Sequence, residues 1–205
     1  MKNAGATDAQ AGARVAGLVL AAGAGRRMGR PKALVRDPDG IPWVVGTSRL
    51  LAESGCSPVV VVIGAAATET RAALLNEPVD VVEATDWTEG KGASLRAGLH
   101  QTSGLREVDA VMVVPVDVPG LTPAVVRRVA ERARVDGLVR ATYQGQPGHP
   151  VVIGRAHWDG VIVSARGDEG GRTYLRDHRA ELVECADLTD GSDVDTPDDL
   201  PSGHS

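Results

Sequence analysis

A glycine-rich segment with clustered basic side chains carries the strongest chemical signal in the sequence. Residues 20–32 read Leu-Ala-Ala-Gly-Ala-Gly-Arg-Arg-Met-Gly-Arg-Pro-Lys. Glycines let a loop approach a ligand closely, so that successive backbone N–H groups can surround an anion. Arg26, Arg27 and Lys32 add positive charge, but the loop matches neither a Walker A motif nor a dinucleotide fingerprint. The pattern predicts an anion-binding loop of another kind; the alternative is a tight turn with solvated arginines.

One aspartate, Asp117, follows a buried apolar run and is a candidate metal ligand. The run reads Val-Val-Pro-Val over residues 113–116. A carboxylate at the end of a buried strand costs desolvation energy unless a partner compensates for it. Mg²⁺ is a suitable partner because it takes oxygen ligands and binds phosphates. The alternative is that Asp117 only caps the turn before the next helix.

Strands that alternate with helices must position these groups. Consecutive apolar residues predict buried strands over 15–20, 58–63 and 110–115, with weaker candidates over 79–83, 138–143, 150–153 and 181–185. Helices are predicted over 42–54, 68–75, 91–102 and 122–135. Thr122 is the expected N-cap of the last helix, and Pro123 suits its first position.

This alternation predicts a three-layer α/β domain with a mainly parallel sheet. In such sheets, ligands bind outside the carboxyl ends of the strands, which selects the loops after Leu20, Val82 and Val114. The segment 141–172 is rich in Gly and Pro, breaks the alternation and is expected to form a lobe over the site.

Composition narrows the class of protein further. Of 205 residues, 42% are hydrophobic and only 2% aromatic, which disfavours a sheet that stacks nucleic-acid bases. The net charge of −5 and the scattered arginines also disfavour a nucleic-acid partner. Two distant cysteines and no apolar run of about 20 residues suggest a cytoplasmic protein that does not bind membranes. We expect one domain over 14–200, with disordered tails over 1–13 and 201–205.

The first loop resembles the Leu-Ala-Ala-Gly-x-Ser/Gly-x-Arg-Met-Gly-x-x-Lys signature of MobA-like nucleotidyltransferases, the family of the molybdenum cofactor cytidylyltransferases and guanylyltransferases. The resemblance implies a Rossmann-like α/β/α fold and Mg²⁺-dependent transfer of a nucleoside monophosphate to a phosphorylated acceptor. It implies that Arg27 and Lys32 neutralise phosphate charge and, with Asp117, are catalytic. It also implies that the loop holds the nucleotide through Leu20, Ala21, Ala22, Gly23, Ala24 and Gly25.

A second segment, residues 87–99, resembles the Trp-x-x-Gly-x-x-x-Ser-Leu-x-x-Gly-Leu stretch of the same family. The resemblance places Gly90 and Ser94 beside the nucleotide; the alternative is an amphipathic helix with a glycine-rich start. Ala84 and Ala93 stand where family members often have Asn and Ser, and Lys91 is unusual.

Near the C-terminus, Asp195 resembles the aspartate of the family's Asp-Ile/Val-Asp-Thr-Pro motif, which implies a second carboxylate beside the Asp117 metal site. Thr196 and Pro197 are typical of a helix cap and first position, so Asp198 and Asp199 are expected to be acids of the first helical turn instead of metal ligands.

Two further motifs resemble the cytidylyltransferase branch and imply acceptor contacts. They are Gly-His-Pro-Val at residues 148–151, with His149, and Gly-Asp-Glu-Gly-Gly-Arg at residues 167–172, with Asp168 and Arg172. The alternatives are that His149 orders a loop and that Asp168 pairs with Arg172 to shape a turn.

Together the motifs imply transfer of CMP from CTP to the phosphate of molybdenum cofactor, with a molybdenum hydroxylase as a possible recipient of the product. CTP is expected over GTP because Ala22 stands where the guanylyltransferase branch has glycine. One alternative is an NAD(P)H-dependent pigment reductase resembling nicotine blue oxidoreductase. Another is a non-catalytic carrier of molybdenum cofactor, which would need neither the metal carboxylate nor Lys32.

Overall fold

The computed structural model describes residues 12–205, so most of the tail predicted over 1–13 lies outside the described residues. A seven-stranded sheet runs through the described part in the order β3-β2-β1-β4-β6-β5-β7. The strands are β1 Val15–Ala21, β2 Val59–Ile63, β3 Asp80–Glu83, β4 Ala110–Pro115, β5 Leu138–Tyr143, β6 Gln146–Gly154 and β7 Glu181–Glu184. The helices are α1 Trp43–Glu53, α2 Ala67–Ala73, α3 Lys91–Ser103, α4 Pro123–Ala130, α5 Trp158–Ser164 and α6 Arg172–Asp177.

Helices cover both faces of the sheet, which confirms the predicted three-layer α/β/α architecture. Successive side chains of a strand point to opposite faces. Along β1, Val19 therefore joins the core beneath α1 and α4, whereas Leu18 joins the core beneath α3, α5 and α6. This is why β1, β2 and β4 are apolar at consecutive positions. No helix within residues 12–205 has the length and apolar composition needed to cross a bilayer.

Strand β6 is the main difference from the sequence prediction. The segment 141–172 was expected to lie over the site, but β6 lies inside the sheet, antiparallel to both β4 and β5. The other neighbouring strands pair in parallel. The reason is the two-residue turn at Gln144 and Gly145, whose φ angles of 52° and 76° give the left-handed conformation of a tight hairpin. The sheet is therefore mostly parallel, with one reversed inner strand.

Helix α4 is shorter than predicted. It ends at Ala130 rather than Val135, because the backbone then tightens into turns in which Arg132 N–H donates to Val129 and Ala133 N–H donates to Ala130. The N-cap prediction also fails in its detail: the Thr122 hydroxyl makes no capping bond and is buried without a partner.

The C-terminal residues make defined contacts, although residues 201–205 were expected to be disordered. Ser205 and Arg36 exchange a pair of backbone hydrogen bonds of 2.7 and 2.9 Å. The Trp43 indole N–H donates to Nδ1 of His204 at 2.9 Å. Just upstream, Val194 packs in a small apolar cluster with Trp43 and Met28. The end of the chain is thus attached to the loop that follows β1 and to α1.

Candidate active site

The three loops selected from the sequence meet at one edge of the sheet and enclose a cavity of about 350 Å³, here called the first cavity. It lies at the carboxyl ends of β1, β3 and β4. Its walls include the predicted nucleotide, catalytic and metal residues Leu20, Ala22, Gly23, Ala24, Gly25, Arg27, Lys32, Gly90, Ser94, Asp117 and Asp195.

Ala21 is the exception among the predicted nucleotide residues. Its side chain is buried in the core beneath α1 and α4 and does not line the first cavity. The alternation of β1 explains this, because Leu20 and Ala22 on either side of it do reach the cavity.

Two glycines allow the cavity walls to approach each other. Gly25 has a φ of 62°, and a Cβ there would overlap the carbonyl of Arg30. Gly90 has a φ of 109°, and a Cβ there would lie 2.6 Å from Oδ1 of Asp168. A side chain at either position would be both strained and obstructed, so these glycines are structural requirements of the loops.

A cluster of opposite charges forms one wall of the first cavity. Lys32 Nζ donates to Oδ1 of Asp195 at 2.6 Å and to Oδ2 of Asp117 at 3.1 Å. Arg27 lies 2.8 Å from the other oxygen of Asp195. The side chains of Lys32 and Asp117 are each only 14% exposed, whereas that of Arg27 is 70% exposed. Lys32 is therefore the inner cation of the cluster and Arg27 the outer one.

Lys32 and Asp195 favour each other's charged forms. Burial lowers the pKa of Lys32, but the hydrogen bonds and charges of Asp195 and Asp117 outweigh burial and raise the net pKa. The hydrogen bond from Lys32, together with its charge, lowers the pKa of Asp195 despite partial burial. The wall thus presents an ammonium flanked by carboxylates, one of them drawn from the far end of the chain.

Backbone contacts bring Asp117 and Asp195 together although they lie 78 positions apart in the chain. The N–H of Val194 donates to the carbonyl of Asp117 at 2.8 Å. Beyond Asp195, Thr196 and Asp199 form a capping box at a short 3₁₀ helix, as expected for Asp199. These contacts fix the position of the Asp195 backbone beside β4.

The donor set of the cluster fits a small divalent cation. Mg²⁺ is commonly held by one or two carboxylates and completes its shell with water and substrate phosphates. Asp117 and Asp195 already converge on a positive charge, the Lys32 ammonium. No group of three or more His, Cys, Asp or Glu side chains within residues 12–205 forms a closed metal cage. The site therefore suits a cation that is shared with a substrate.

The predicted acceptor residues line a second cavity next to the first. It contains His149, Asp168 and Arg172, together with Lys91 and Arg140, over an apolar floor. Asp168 and Arg172 do not form the internal ion pair considered from the sequence; no ion pair within residues 12–205 joins them. Asp168 lines both cavities, so the two are adjacent.

His149 is held in its neutral form at the wall of the second cavity. Burial lowers its pKa to about 4, with a smaller contribution from the charge of Arg140. Its Nδ1 atom is buried without a hydrogen-bond partner, and its carbonyl accepts a hydrogen bond from the Tyr143 hydroxyl at 2.6 Å. His149 therefore both orders its loop and leaves a polar atom unsatisfied beside the cavity.

Three basic residues at or near these cavities received no role from the sequence. Lys91 lines both of them, and Arg140 lines the second. Arg96 binds Asp86 and Glu89 at 2.7 Å each and so holds the loop that contains Gly90. Arg140 had a visible signal, because it interrupts the otherwise uncharged strand β5. The sequence carries no comparable signal for Arg96, because its partners Asp86 and Glu89 are exposed acids in an ordinary loop before a helix.

A glycine-rich cationic loop and a carboxylate pair at the carboxyl edge of an α/β sheet are typical of a nucleotidyltransferase, and this is the class of the protein. The chain belongs to the MobA-like NTP transferase family, whose domain model matches residues 17–182. The match spans β1 through the start of β7 and so includes both cavities, apart from Asp195 and its neighbours.

Named relatives span almost the whole chain. Nicotine blue oxidoreductase of Paenarthrobacter nicotinovorans is 34% identical over 196 residues, which are 91% of this chain and 94% of that protein. Molybdenum cofactor cytidylyltransferase of Escherichia coli K12 is 25% identical over 189 residues, which are 89% of this chain and 92% of that protein. The crystal structure of Rv0371c from Mycobacterium tuberculosis H37Rv has a TM-score of 0.77 at 29% identity, covering 92% and 96%. A second structure of Rv0371c, with a TM-score of 0.73 at 28% identity, is a complex with manganese and covers 91% and 95%.

Proposed function

We propose that this protein transfers CMP from CTP to the terminal phosphate of molybdenum cofactor and releases pyrophosphate. The observation that carries the proposal is the Lys32 ammonium between Asp117 and Asp195 in a cavity capped by a glycine-rich loop. The family and the similarity to a molybdenum cofactor cytidylyltransferase support it. Delivery of the product to a molybdenum hydroxylase is a further part of the proposal.

In the proposed reaction, an oxygen of the acceptor phosphate attacks the α-phosphorus of CTP. A new P–O bond forms as the bond between the α-phosphorus and the oxygen that leads to the β-phosphorus breaks. Pyrophosphate leaves with that oxygen and its electron pair. The attacking phosphate is already anionic, so the protein needs no general base. Its contribution is positioning and stabilisation of the charge on the transferring phosphate.

Lys32 and Arg27 are the proposed ligands of the triphosphate. Their present partners are carboxylates, and phosphate oxygens can replace these because both are anionic acceptors of the same hydrogen bonds. Asp117 and Asp195 would then be free to hold Mg²⁺, which supplies charge neutralisation of the triphosphate when bound. Manganese in the structure of Rv0371c supports a divalent cation in this fold.

The preference for CTP over GTP is proposed from Ala22. This residue is 3% exposed and lines the first cavity. A methyl group narrows the space beside the loop and is better tolerated by a pyrimidine than by guanine. A difference of one methyl-sized group in the fit of a ligand changes selectivity by about 10- to 200-fold.

The test is incubation of the full chain with CTP, Mg²⁺ and molybdenum cofactor, with the product identified by mass. We expect a cytidylated cofactor and pyrophosphate. With equal CTP and GTP, a guanylated product in excess would contradict the base preference but not the transfer. The absence of pyrophosphate release with either nucleotide would contradict the proposed function.

Asp117→Ala should abolish this transfer while the protein stays folded. The lost carboxylate holds the proposed metal and Lys32, and loss of one such electrostatic contact typically costs about 10²–10³ in rate. Asp136→Ala is the matched control, because Asp136 is exposed in the turn before β5. Near-normal turnover of folded Asp117→Ala would refute the assigned role of this carboxylate.

A second candidate function is reduction of a pigment with NAD(P)H as the hydride donor. The observation that favours it is the 34% identity to nicotine blue oxidoreductase, which exceeds the identity to the cytidylyltransferase. The two functions separate in one assay: oxidation of NADPH in the presence of the pigment and without CTP supports the reductase. Release of pyrophosphate without nicotinamide cofactor supports the transferase.

A further inference from the structure

The side chain of Arg96 joins two segments that are far apart in the sequence. It belongs to α3 and is only 16% exposed. One terminal nitrogen, Nη2, donates to the carboxylates of Asp86 and Glu89 at 2.7 Å each. The other, Nη1, donates to the carbonyl of Ala165 at 2.9 Å. Arg96 therefore connects the loop before α3 to the segment that follows α5.

Both connected segments form walls of the cavities. Gly90, at the end of the loop over residues 86–90, lines the first cavity. Asp168, in the segment over residues 165–170, lines both the first and the second cavity. The Arg96 side chain and its two carboxylate partners line neither cavity. Any effect of Arg96 on a ligand must therefore pass through these walls.

The backbones of the two segments lie in direct contact. A Cβ on Gly90 would lie 2.6 Å from the carbonyl carbon of Gly167, and a Cβ on Gly92 would lie 2.9 Å from the backbone nitrogen of Arg166. These distances leave no room for a side chain between the segments. Because packed groups transmit displacements to one another, the two segments behave as one wall.

Arg96 also neutralises charge at this wall. Two unpaired carboxylates, those of Asp86 and Glu89, would repel an anionic ligand of the first cavity, and the guanidinium group compensates for both. A role through charge alone would not need the third hydrogen bond, because the Ala165 carbonyl carries no net charge. A role in holding the two segments together accounts for all three bonds.

We propose that Arg96 is a positioning residue for the nucleotide site. It holds the loop over residues 86–90 and the segment over residues 165–170 where they form walls of the first cavity, and it thereby sets the affinity for a nucleoside triphosphate. Arg96 acts through Gly90 and Asp168 and touches no ligand itself. The identity of that ligand as CTP rests on the proposed function.

Calorimetric titration of the full chain with CTP and Mg²⁺, without an acceptor, tests this role in the absence of turnover. Arg96→Met should weaken CTP binding by about threefold to tenfold, because it releases both walls. Arg49→Met is the matched control, since Arg49 donates to the carboxylate of Glu77 at 2.7 and 3.1 Å and neither residue lines the first cavity. Circular dichroism establishes that both variants are folded. Unchanged CTP affinity in folded Arg96→Met, or an equal loss in Arg49→Met, overturns the proposal.

A double variant, Asp86→Asn with Glu89→Gln, separates position from charge and does not depend on the folding of Arg96→Met. Both side chains are largely accessible, at 43% and 58% exposed. The double variant removes two negative charges near the cavity, so a role through charge alone predicts tighter CTP binding. A positioning role predicts weaker binding, because the charge-assisted hydrogen bonds that hold the loop are lost. CTP affinity equal to or above that of the wild type overturns the positioning role.

The three substitutions also form a thermodynamic cycle. Adding Arg96→Met to the double variant should cost less CTP affinity than Arg96→Met costs in the wild type, since two partners of Arg96 are already changed. A full additional loss would show that Arg96 does not act through Asp86 and Glu89, and would overturn the proposal.

Steady-state kinetics of the proposed transfer reaction report on the second connected segment. Arg96→Met should raise the KM for CTP and the KM for the acceptor, because Asp168 lies between the two cavities. The double variant keeps the bond to Ala165, so it should raise mainly the KM for CTP. An unchanged acceptor KM in Arg96→Met would overturn the role of Arg96 in holding residues 165–170.

Failure of the proposed function has a different signature. The wild type would then release no pyrophosphate, while its affinity for CTP still depended on Arg96 and on the two acids. A wild type that binds neither CTP nor GTP would overturn the nucleotide site and with it the role of Arg96. Normal CMP transfer with unchanged CTP affinity in Arg96→Met would overturn the positioning role and leave the function intact.

Discussion

At the residue scale, the ammonium of Lys32 between Asp117 and Asp195 organises the candidate active site. Three ionised side chains of low exposure are stable together because each is paired, whereas any one of them alone would be costly to bury. The same pairing suits the proposed binding of a triphosphate. In that proposal phosphate oxygens replace the carboxylates at Lys32, and the two released carboxylates are suitable ligands for a divalent cation.

The side chains of Lys32 and Arg27 differ in exposure, so we predict that their substitution weakens nucleotide binding to different extents. Lys32→Met should weaken CTP binding by about tenfold or more, because it removes a largely buried charge-assisted donor. Arg27→Met should weaken it by only about twofold to fivefold, since the Arg27 side chain is 70% exposed. Calorimetric titration measures the affinity of each variant for CTP and for CMP. The loss of affinity should be smaller for CMP than for CTP. Equal losses for CTP and CMP would indicate that Lys32 shapes the loop and does not bind the outer phosphates.

At the scale of elements, two short turns decide the geometry of the cavities. The loop after β1 bends back on itself at Gly25, where the backbone conformation and the Arg30 carbonyl leave no room for a side chain. The hairpin between β5 and β6 reverses at Gln144 and Gly145 and thereby places Arg140 and His149 on one wall. Each short turn therefore sets the position of residues that line a cavity.

Gly25→Ala should destabilise the protein and disrupt the first cavity. Left-handed backbone costs an alanine at least about 1 kcal/mol, and its Cβ would also overlap the Arg30 carbonyl. Gly23→Ala is the matched control on the same loop, because nothing lies within 4 Å of a Cβ there and φ is not positive. Urea unfolding measures both variants. Equal stability of the two would show that the loop relaxes around Gly25 at no cost.

The hairpin turn predicts a pH dependence of stability that Glu184 controls. Its carboxylate accepts hydrogen bonds from the N–H groups of Gln144 and Gly145 and from the Thr142 hydroxyl, at 2.9, 3.1 and 2.9 Å. Backbone hydrogen bonds, first that from Gly145 and then that from Ala186, lower the pKa of Glu184 from 4.5 to about 2. The unfolded chain therefore binds this proton more readily than the folded one. The stabilisation is present above about pH 4.5 and is lost as the pH falls through about 2.

Glu184→Gln removes this titrating group, so the Tm difference between wild type and variant should shrink as the pH falls from about 5 to about 2. Thermal unfolding followed by circular dichroism across this range measures the difference. Glu131→Gln, at an exposed position after α4, is the control for the loss of one negative charge. A Tm difference for Glu184→Gln that is constant with pH would refute the role of its carboxylate in the turn.

At the scale of the whole molecule, the end of the chain completes the site that the beginning of the chain starts. The loop after β1 supplies Lys32, β4 leads to Asp117, and the segment after β7 supplies Asp195. The bond from Val194 N–H to the Asp117 carbonyl and the small apolar cluster around Trp43 attach that last segment. Ser205 and His204 extend the attachment to Arg36 and Trp43.

His204→Ala should therefore lower the free energy of unfolding, although His204 belongs to no predicted motif. It removes the acceptor of the Trp43 indole N–H, and such a bond contributes about 0.5–1.5 kcal/mol. His100→Ala is the control, because His100 is exposed on α3. Chemical denaturation of both variants gives the comparison. No difference between them would mean that water replaces the Trp43 contact fully.

Local patterns made the central strands and the three loops predictable. The apolar runs of β1, β2 and β4 reveal burial on both faces, and the carboxyl-end rule then locates the loops that contain Lys32, Gly90 and Asp117. The boundaries of α4 and the missing Thr122 cap were not predictable, because the following turns and not the helix pattern determine where α4 ends.

The sequence by itself determined the class of fold and the family resemblance, and it supplied the candidate residues for phosphate binding, because these depend on residue type and short spacing. Only the tertiary structure decided that β6 reverses inside the sheet, that Ala21 faces the core and that Lys32 lies between Asp117 and Asp195. It alone placed Arg140 and Arg172 at one cavity. Distances between residues far apart in the chain depend on strand order and on backbone contacts such as that from Val194 to Asp117, and no local pattern in the sequence encodes them.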